Sequence, residues 1–295
     1  MIDPLILGDN AFFGVNHRSQ ADGAQKAVML QDPKNVIRLL RAAKASGAGG
    51  VMLSSHERSP GIVKEMLKDP SLRNDFAVYP NIPYLLKYVS QVTRHGMAGT
   101  LLRVLAGQSG LATLRHMTLG SLGLMQKDFY QWIRIGVDVE MNLYKGARVP
   151  AIFLHNGIVD LLLGLELKDP LLFYDAYIRE RYGAEPGYGT LNLAKLAGFL
   201  VKIGLKDPLV MAPFNASGFH MNPSPRVSEE AAKAGGFTLL AMNVLSSGSG
   251  DPKKAFEYLS HFPKIQHVII GASTEEHIAE SFRLAAKWIR PGAGL

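Results

Sequence analysis

The sequence of 295 residues contains no cysteine, and only 19% of its residues are charged. The absence of cysteine excludes disulfide bonds, thiolate metal ligands and a cysteine nucleophile. A charged fraction this low, beside 47% hydrophobic residues, is the opposite of a disordered composition and predicts a large buried core. No leader pattern opens the chain, and every long uncharged stretch is interrupted by Asn, His, Pro or Gly. We therefore expect a cytoplasmic protein without a transmembrane helix.

Acidic residues are scarce in one part of the chain. Residues 86–148 contain eight basic and three acidic side chains, which gives this segment +5 of the total net charge of +7. Lys and Arg in an apolar segment favour either a solvated helix face or contact with an anionic surface or substrate. Basic and aromatic residues do not interleave there, so we expect no nucleic-acid partner. The sequence leaves a homo-oligomer open.

Short apolar runs alternate with longer helical patterns along the chain, which is typical of a parallel sheet with crossover helices. The predicted strands are residues 5–7, 51–53, 76–79, 151–154, 185–190, 209–212, 237–242 and 267–270. Eight strands predict a single α/β domain over residues 1–295, a (β/α)₈ TIM barrel. Residues 86–148 lack a β-rich run and predict a helical subdomain inserted after strand 3. No Gly-x-Gly-x-x-Gly motif follows the first strand, which argues against a Rossmann dinucleotide site.

Polar residues follow every predicted strand, at the end of the barrel where such folds carry their chemistry. Asn and Asp also favour turns, so each of them has a structural interpretation as well. Two histidines, His56 and His155, come from separate strands that lead to the same mouth, and they are the better catalytic candidates. The strand-end residues are Asp9, Asn10, His56, Glu57, Asn81, His155, Asn156, Thr190, Asn192, Asn215, Asn243, Gly271 and Ser273.

The segment Gly271-Ala272-Ser273-Thr274 follows the last strand and opens a helix. Free backbone N–H groups and the positive helix end would suit a phosphate. An ordinary helix N-cap on Ser273 or Thr274 explains the same pattern equally well. The polar stretch 245–250 after strand 7, which includes Ser246, would be able to close over the same anion.

The second half of the chain resembles the aldo-keto reductase superfamily. The stretches 239–248 and 267–278 are similar to the seventh and eighth strands of that family and to the helix that holds the 2′-phosphate of the cofactor. Phe153-Leu154-His155-Asn156 resembles the strand that carries the catalytic histidine. Residues 187–192 resemble the strand whose polar side chains touch the nicotinamide. The resemblance implies an NAD(P) site built from Asn156, Thr190, Asn192, Asn215, Ser246, Gly271, Ser273 and Thr274.

The first half departs from that family. Ser54-Ser55-His56 stands where the resemblance would place a catalytic aspartate, and no tyrosine follows within residues 57–61. Pro80-Asn81 stands where the family has a lysine. Only His155 matches the family's catalytic tetrad. A carbonyl reductase needs an acid that protonates the developing alkoxide, so the usual reaction cannot be carried over unchanged.

Three hypotheses for the function remain. The first is an NAD(P)H-dependent oxidoreductase that acts on a small polar or phosphorylated substrate, in which His155 or His56 replaces tyrosine as the proton donor and Glu57 or Asp9 orients it. The second is a metal-dependent or acid/base lyase, isomerase or hydrolase. Its ligands would be His56, Glu57 and His155, which suit zinc, iron or manganese. The third is a non-catalytic barrel that binds a ligand or a partner through the inserted segment.

Overall fold

A computed structural model describes residues 1–16, 19–84, 129–248 and 250–288. Eight parallel strands pair in sequence order, and β8 pairs with β1, so the sheet is a closed barrel. This confirms the predicted TIM barrel. The strands are β1 (Leu5–Gly8), β2 (Gly50–Ser54), β3 (Ala77–Ile82), β4 (Ala151–Leu154), β5 (Glu185–Gly189), β6 (Leu209–Pro213), β7 (Thr238–Met242) and β8 (His267–Gly271).

Ten α-helices of the described residues surround the barrel, and we number them in chain order. Several begin at an Asp or Ser N-cap followed by proline, as at Asp32-Pro33, Ser224-Pro225 and Asp251-Pro252. The helices are α1 (Gln20–Met29), α2 (Pro33–Ala45), α3 (Ser59–Lys68), α4 (Phe129–Met141), α5 (Asn156–Gly164), α6 (Lys168–Tyr182), α7 (Leu193–Lys202), α8 (Pro225–Ala234), α9 (Pro252–Ser260) and α10 (Glu275–Trp288).

Two elements differ from the sequence-based expectation. Strand β3 does not end at Tyr79 but continues through Pro80 to Ile82. Its pairing with β4 is at Asn81 and Ile82, beyond the proline, so the missing N–H does not interrupt that part of the ladder. Helix α1 was not predicted, because its one buried residue is Gly23 and it has no apolar stripe.

The barrel interior is an apolar core of buried side chains. Its side chains come from alternate positions of the strands, as the two-residue period of a strand requires. Phe153 fills the space beside β5, where a Cβ on Gly187 would lie 2.4 Å from its ring. The interior residues are Ile6, Met52, Ala77, Tyr79, Ala151, Phe153, Leu209, Met211, Leu240 and Ile269.

The amino-terminal end of the barrel is closed by the residues that precede β1. The Tyr79 hydroxyl donates to Asp3 Oδ2 at 2.5 Å, and the Arg148 guanidinium lies 3.2 Å from the same oxygen. The ring Nδ1 of His267 lies 3.2 Å from the Asp3 carbonyl oxygen. Gly49 is required beside this plug, because a Cβ there would lie 2.3 Å from Asp3 Cγ. The carboxyl ends of the strands are therefore the end at which we look for a site.

The predicted inserted subdomain, residues 86–148, lies mainly outside the described residues. Its described part is α4 and a 3-10 turn at Asn142–Tyr144. Tyr177 and Tyr182 of α6 both donate to Asp138 Oδ1, at 2.6 and 2.5 Å, and Tyr144 donates to the Leu53 carbonyl at 2.8 Å. These hydrogen bonds, of which the one from Tyr144 is buried, fix the end of the segment against α6 and β2.

We predict that Gly187→Ala destabilises the protein by about 1–3 kcal/mol, because the added methyl overlaps the Phe153 ring in a packed core. The control is Gly198→Ala on the exposed face of α7, where no described atom lies within 4 Å of an added Cβ. That variant should gain up to about 1 kcal/mol from helix propensity. Equal chemical-denaturation midpoints for the two variants would contradict the described packing of the interior.

Candidate functional site

The mouth of the barrel is formed where the strands end. The inward positions continue from the interior core, so Ser54 follows Met52 and Asn81 follows Tyr79 in facing the barrel axis. Because β3 is longer than expected, Asn81 belongs to the last inward layer of the strand rather than to the loop after it. Asn81 Oδ1 is buried, and no described residue donates a hydrogen bond to it. The mouth therefore contains a buried acceptor oriented toward its interior.

Asp9 lies directly after β1 and is 5% exposed. Its Oδ2 accepts a hydrogen bond from the Ser54 backbone N–H at 2.6 Å, which ties the end of β1 to the end of β2. Burial raises the pKa of Asp9 to about 6, and the Ser54 hydrogen bond offsets only part of that rise. A carboxyl group with this pKa exchanges its proton near neutral pH, which is what acid/base chemistry requires.

His155 follows β4 and is the N-cap of α5. Its Nδ1 accepts a hydrogen bond from the Gly157 backbone N–H at 3.1 Å. Burial lowers the pKa of His155, and the opposing charge of Asp160 offsets this in part. A ring that accepts at Nδ1 and stays neutral carries its proton on Nε2. His155 therefore offers one N–H donor, and the positive end of α5 disfavours the imidazolium form.

His56 lies in the loop after β2 inside an aromatic cluster. Its ring stacks on Phe13 with centroids 4.3 Å apart, and the edge of Tyr84 approaches at 5.1 Å. The Arg58 backbone N–H donates to His56 Nδ1 at 3.1 Å, and the Arg58 guanidinium donates to the Phe12 carbonyl at 2.9 Å. The loops after β1 and β2 are thereby held together at the rim.

Glu57 is exposed on the same loop and does not share the buried environment of His56. His56 and His155 both use Nδ1 to accept a backbone hydrogen bond, so Nδ1 of neither ring can bind a metal. Among the described residues no group of three His, Asp or Glu side chains is placed to hold a metal ion. The alternative metal site at His56, Glu57 and His155 is therefore unsupported.

Two of the expected cofactor residues bind their own chain at the end of β5. The Thr190 hydroxyl donates to Asp160 Oδ1, and the Leu191 N–H donates to Asp160 Oδ2 at 3.0 Å. Thr190 Oγ1 also accepts from the Asn192 N–H at 2.9 Å, and Asn192 caps α7 by accepting from the Lys195 N–H. These polar groups hold the β5 loop in position.

Asn156 begins α5 beside the same strand. Its backbone nitrogen lies 3.0 Å from the place that a Cβ on Gly189 would occupy. The last inward position of β5 is therefore a glycine because the start of α5 packs closely against it. The structure brings Asn156 and His155 to the mouth on one helix end.

Asn215 and Ser246 join the loops after β6 and β7. Asn215 is 1% exposed, and its Oδ1 accepts from the Phe219 N–H and the Ser217 hydroxyl, both at 2.9 Å. The Ser246 hydroxyl lies 2.7 Å from that of Ser217 and donates to Asn215 Oδ1 at 3.3 Å. Asn215 Nδ2 donates to the Phe219 carbonyl at 2.9 Å. Asn215 is thus the hydrogen-bonding centre of this rim.

The turn from β8 into α10 contains an open glycine and a capped helix. Gly271 is exposed, and no described atom lies within 4 Å of an added Cβ. Thr274 is the capping residue, since its Oγ1 accepts from the His277 N–H at 3.2 Å. Hydrogen bonds from the Glu276 N–H and from Thr274 lower the pKa of the Glu276 carboxyl. An acidic side chain of the protein itself therefore occupies the helix end, while Ser273 lies half-buried just before it.

Tyr84 is the rim residue that the sequence interpretation missed. It follows β3 by two residues, and its backbone N–H donates to Ser55 Oγ at 2.9 Å. With the end of β3 placed at Tyr79, Tyr84 fell between the predicted strand and the predicted insertion at 86–148 and was assigned to neither. A strand that is allowed to run through Pro80 would have placed this tyrosine at the mouth.

A cavity of about 660 Å³ lies at the other end of the barrel, beside Met1, Asp175, Arg179 and His267. Arg179 there forms paired hydrogen bonds of 2.7 and 2.6 Å with Glu185 and also contacts Asp175. The Arg179 guanidinium is thus already paired within the protein, whereas polar residues follow the strands at the mouth, so we place the candidate site there.

Solved structures with a similar fold include several aldo-keto reductases. A protein from Pseudomonas aeruginosa assigned to the aldo-keto reductases matches with a TM-score of 0.60 and 18% identity, over 97% of this chain and 91% of that one. An aldo-keto reductase from Brucella melitensis matches with a TM-score of 0.55 and 12% identity, over 97% of this chain and 89% of that one. An aldo-keto reductase from Bacillus halodurans, in its holo form, matches with a TM-score of 0.56 and 10% identity, over 96% of this chain and 86% of that one. No family model and no curated protein matches the chain. The chain has an aldo-keto-reductase-like TIM barrel, as the resemblance predicted.

We predict that Asp9→Asn removes a pH-dependent loss of stability. The folded pKa of Asp9 lies near 6 instead of 3.8, so folding favours the protonated carboxyl, and stability falls as the pH rises through 6. The wild-type free energy of unfolding should lose about 1–3 kcal/mol relative to Asp9→Asn between pH 4 and pH 7. Urea denaturation at several pH values measures this difference. The control is Asp169→Asn at an exposed position, which should keep the pH dependence of the wild type. If Asp169→Asn also removes the loss of stability between pH 4 and pH 7, that loss does not come from Asp9.

Proposed function

We propose that this protein reduces the carbonyl group of a small polar substrate with a nicotinamide dinucleotide at the mouth of the barrel. The observation that carries the proposal is His155, a neutral, mostly buried histidine with a fixed Nε2–H donor at the end of β4. The likeness in fold to aldo-keto reductases over nearly the whole chain supports the same reaction class. In the described residues, no helix is long and apolar enough to cross a membrane.

His155 Nε2–H would donate a hydrogen bond to the substrate oxygen and stabilise the negative charge that develops there. The Gly157 N–H holds Nδ1 as an acceptor, so the ring cannot turn over without losing the cap of α5. A neutral imidazole gives up its proton far less readily than an imidazolium does. The lowered pKa of His155 therefore favours polarisation of the carbonyl over the proton donation that the sequence suggested.

The described residues fit a dinucleotide that lacks a 2′-phosphate. Open space at Gly271 allows a ligand to approach the backbone of β8 closely. The start of α10, where a 2′-phosphate would bind, is occupied by the Glu276 carboxylate on its own N–H. When bound, the reduced nicotinamide would supply the hydride. Gly271, Ser273 and Asn156 remain candidates for direct contact, and Thr190, Asn192, Asn215 and Ser246 would shape the loops around the cofactor.

A second candidate is acid/base chemistry without a dinucleotide, as in a lyase or isomerase. The specific observation in its favour is Asp9, whose pKa near 6 suits a general acid or base. Both candidates use the same mouth, so dinucleotide binding separates them.

We predict that NADH binds more tightly than NADPH, because the exposed Glu276 carboxylate repels a second anion at the start of α10, an effect that water and salt screen in part. Glu276→Gln should reduce the difference in affinity between the two dinucleotides, whereas the control Glu280→Gln, one turn further along the exposed face, should leave it unchanged. Isothermal calorimetry with NADH and with NADPH measures the two dissociation constants. Preference for NADPH would refute the charge argument, and binding of neither would favour the second candidate or a non-catalytic barrel.

We predict that His155→Ala and His155→Ser both lower kcat/KM for NADH-dependent reduction of 4-nitrobenzaldehyde or glyceraldehyde by about 10²–10³-fold, since each loses the Nε2–H donor. Serine still caps α5, so His155→Ser should keep the wild-type Tm, while His155→Ala should cost about 1 kcal/mol. Undiminished turnover in His155→Ser would assign His155 to helix capping alone.

A further inference from the structure

The amino-terminal end of the barrel contains the cavity of about 660 Å³, beside the plug that precedes β1. Its lining includes the first inward positions of three consecutive strands, Leu209 of β6, Thr238 of β7 and His267 of β8. Thr238 and His267 stand two residues before the core residues Leu240 and Ile269, so strand alternation turns them toward the barrel axis. Side chains usually fill such a layer, whereas here it borders a space of the size that small ligands occupy, about 300–1,000 Å³.

His267 provides a fixed acceptor in this layer. Its Nδ1 lies 3.2 Å from the Asp3 carbonyl oxygen, and because a carbonyl oxygen only accepts, Nδ1 carries the ring proton. Burial lowers the pKa of His267, so the ring is neutral at pH 7 and Nε2 keeps its lone pair. No residue that the structure describes donates to this nitrogen. His267 therefore offers an acceptor to a ligand in the cavity.

Thr238 and Asp207 add oxygen atoms to the same lining. The Thr238 hydroxyl donates to Asp207 Oδ2 at 3.0 Å, so the Thr238 oxygen keeps its lone pairs for another donor. Asp207 has a φ of 44°, in the left-handed region that favours glycine. Strained backbone of this kind occurs preferentially where a protein contacts a ligand. Both residues therefore present acceptors at the side of the cavity formed by β6 and β7.

Arg179 and Glu185 form a planar ion pair that also lines the cavity. The guanidinium donates to both Glu185 oxygens, at 2.7 and 2.6 Å, and through Nε to Asp175 at 3.0 Å. These three bonds leave two of its five N–H groups without a partner among the described residues. The Arg179 side chain is 45% exposed, so a ligand can reach it. The pair places further donors and acceptors next to each other.

The charges of the lining are nearly balanced. It contains two cationic side chains, Arg179 and Lys206, and three carboxylates, of which Arg179 already binds two. A free ion therefore finds little uncompensated charge. A hydroxyl group donates one hydrogen bond and accepts up to two, so it fits both the donors and the acceptors. Other parts of the lining are apolar, as at Ile2 and Leu209, and suit the C–H groups of a carbon skeleton.

We propose that this cavity is a second binding site, which takes a neutral polyhydroxyl molecule such as a monosaccharide or a sugar alcohol. Hydroxyl groups of the ligand donate to His267 Nε2 and to the Thr238 oxygen and accept from Arg179, while its C–H groups contact the apolar lining. The inference does not rest on the proposed function, because the cavity lies at the end of the barrel opposite to the mouth.

NMR of protein labelled with ¹⁵N-histidine tests the proposal. The ligands are methyl β-D-glucopyranoside and xylitol, which have no carbonyl group and cannot be reduced at the mouth. The ring signals of His267, assigned by their loss in His267→Phe, should shift saturably with millimolar glucoside or xylitol, and those of His155 should not. Methylammonium and succinate, a cation and an anion, should leave the His267 signals unchanged.

Calorimetry on variants measures the contribution of each contact. Thr238→Val and His267→Phe should each weaken binding of the glucoside about 3–10-fold, as expected for the loss of one hydrogen bond. Thr238→Val keeps the shape of the side chain, so it tests the site even if His267→Phe unfolds the protein. The control His261→Phe, at an exposed position after α9, should bind as wild type.

Three results would overturn the proposal. The first is the absence of saturable binding of the glucoside and xylitol to the wild-type protein. The second is wild-type affinity in Thr238→Val together with shifts at His155 instead of His267, which would place the ligand at the mouth. The third is binding of succinate or methylammonium in this cavity, which would show that charge and not hydroxyl recognition selects the ligand.

Discussion

Closure of the barrel between β8 and β1 is the constraint on which the candidate site depends. Leu5–Gly8 pairs with Val268–Gly271 residue by residue, so every strand end lies on one rim. Side chains that are far apart in the sequence thereby become neighbours, as when Asp9 accepts from the Ser54 N–H 45 residues later. The plug formed by Asp3 closes the other end. The carboxyl end of the barrel then collects the polar residues that follow eight apolar strands.

Most of these polar groups are used by the protein itself. Thr190 binds Asp160, Asn215 organises the loop after β6, and Thr274 caps α10. Each satisfies a donor or acceptor that would be costly to leave unpaired beside an apolar core. Among the described residues, the groups that remain for a ligand include the Nε2–H of His155, the buried Oδ1 of Asn81 and the open backbone at Gly271. The proposed chemistry is built on the first of these.

The sequence predicts the fold well because the two-residue and helical periods of its apolar residues are local properties. It also places His155 and Asp9 at the mouth, since both directly follow an apolar run. The limits appear where partners are set by tertiary contacts. Whether Asn215 binds a cofactor or Phe219 cannot be read from a single strand end. Tyr84 was missed because Pro80 resembles a strand terminator, although it lies before the part of β3 that pairs with β4.

The same reasoning explains how a barrel that is only 10–18% identical to aldo-keto reductases has a similar fold. The fold depends on the inward apolar positions of the strands, whereas the polar residues that follow the strands can change without altering it. The central claim is that His155 is a neutral Nε2–H donor. Measuring its ring ¹⁵N shifts by NMR at pH 7 tests this most directly: the account predicts a proton on Nε2 alone, and a proton on Nδ1, or on both nitrogens, would contradict it.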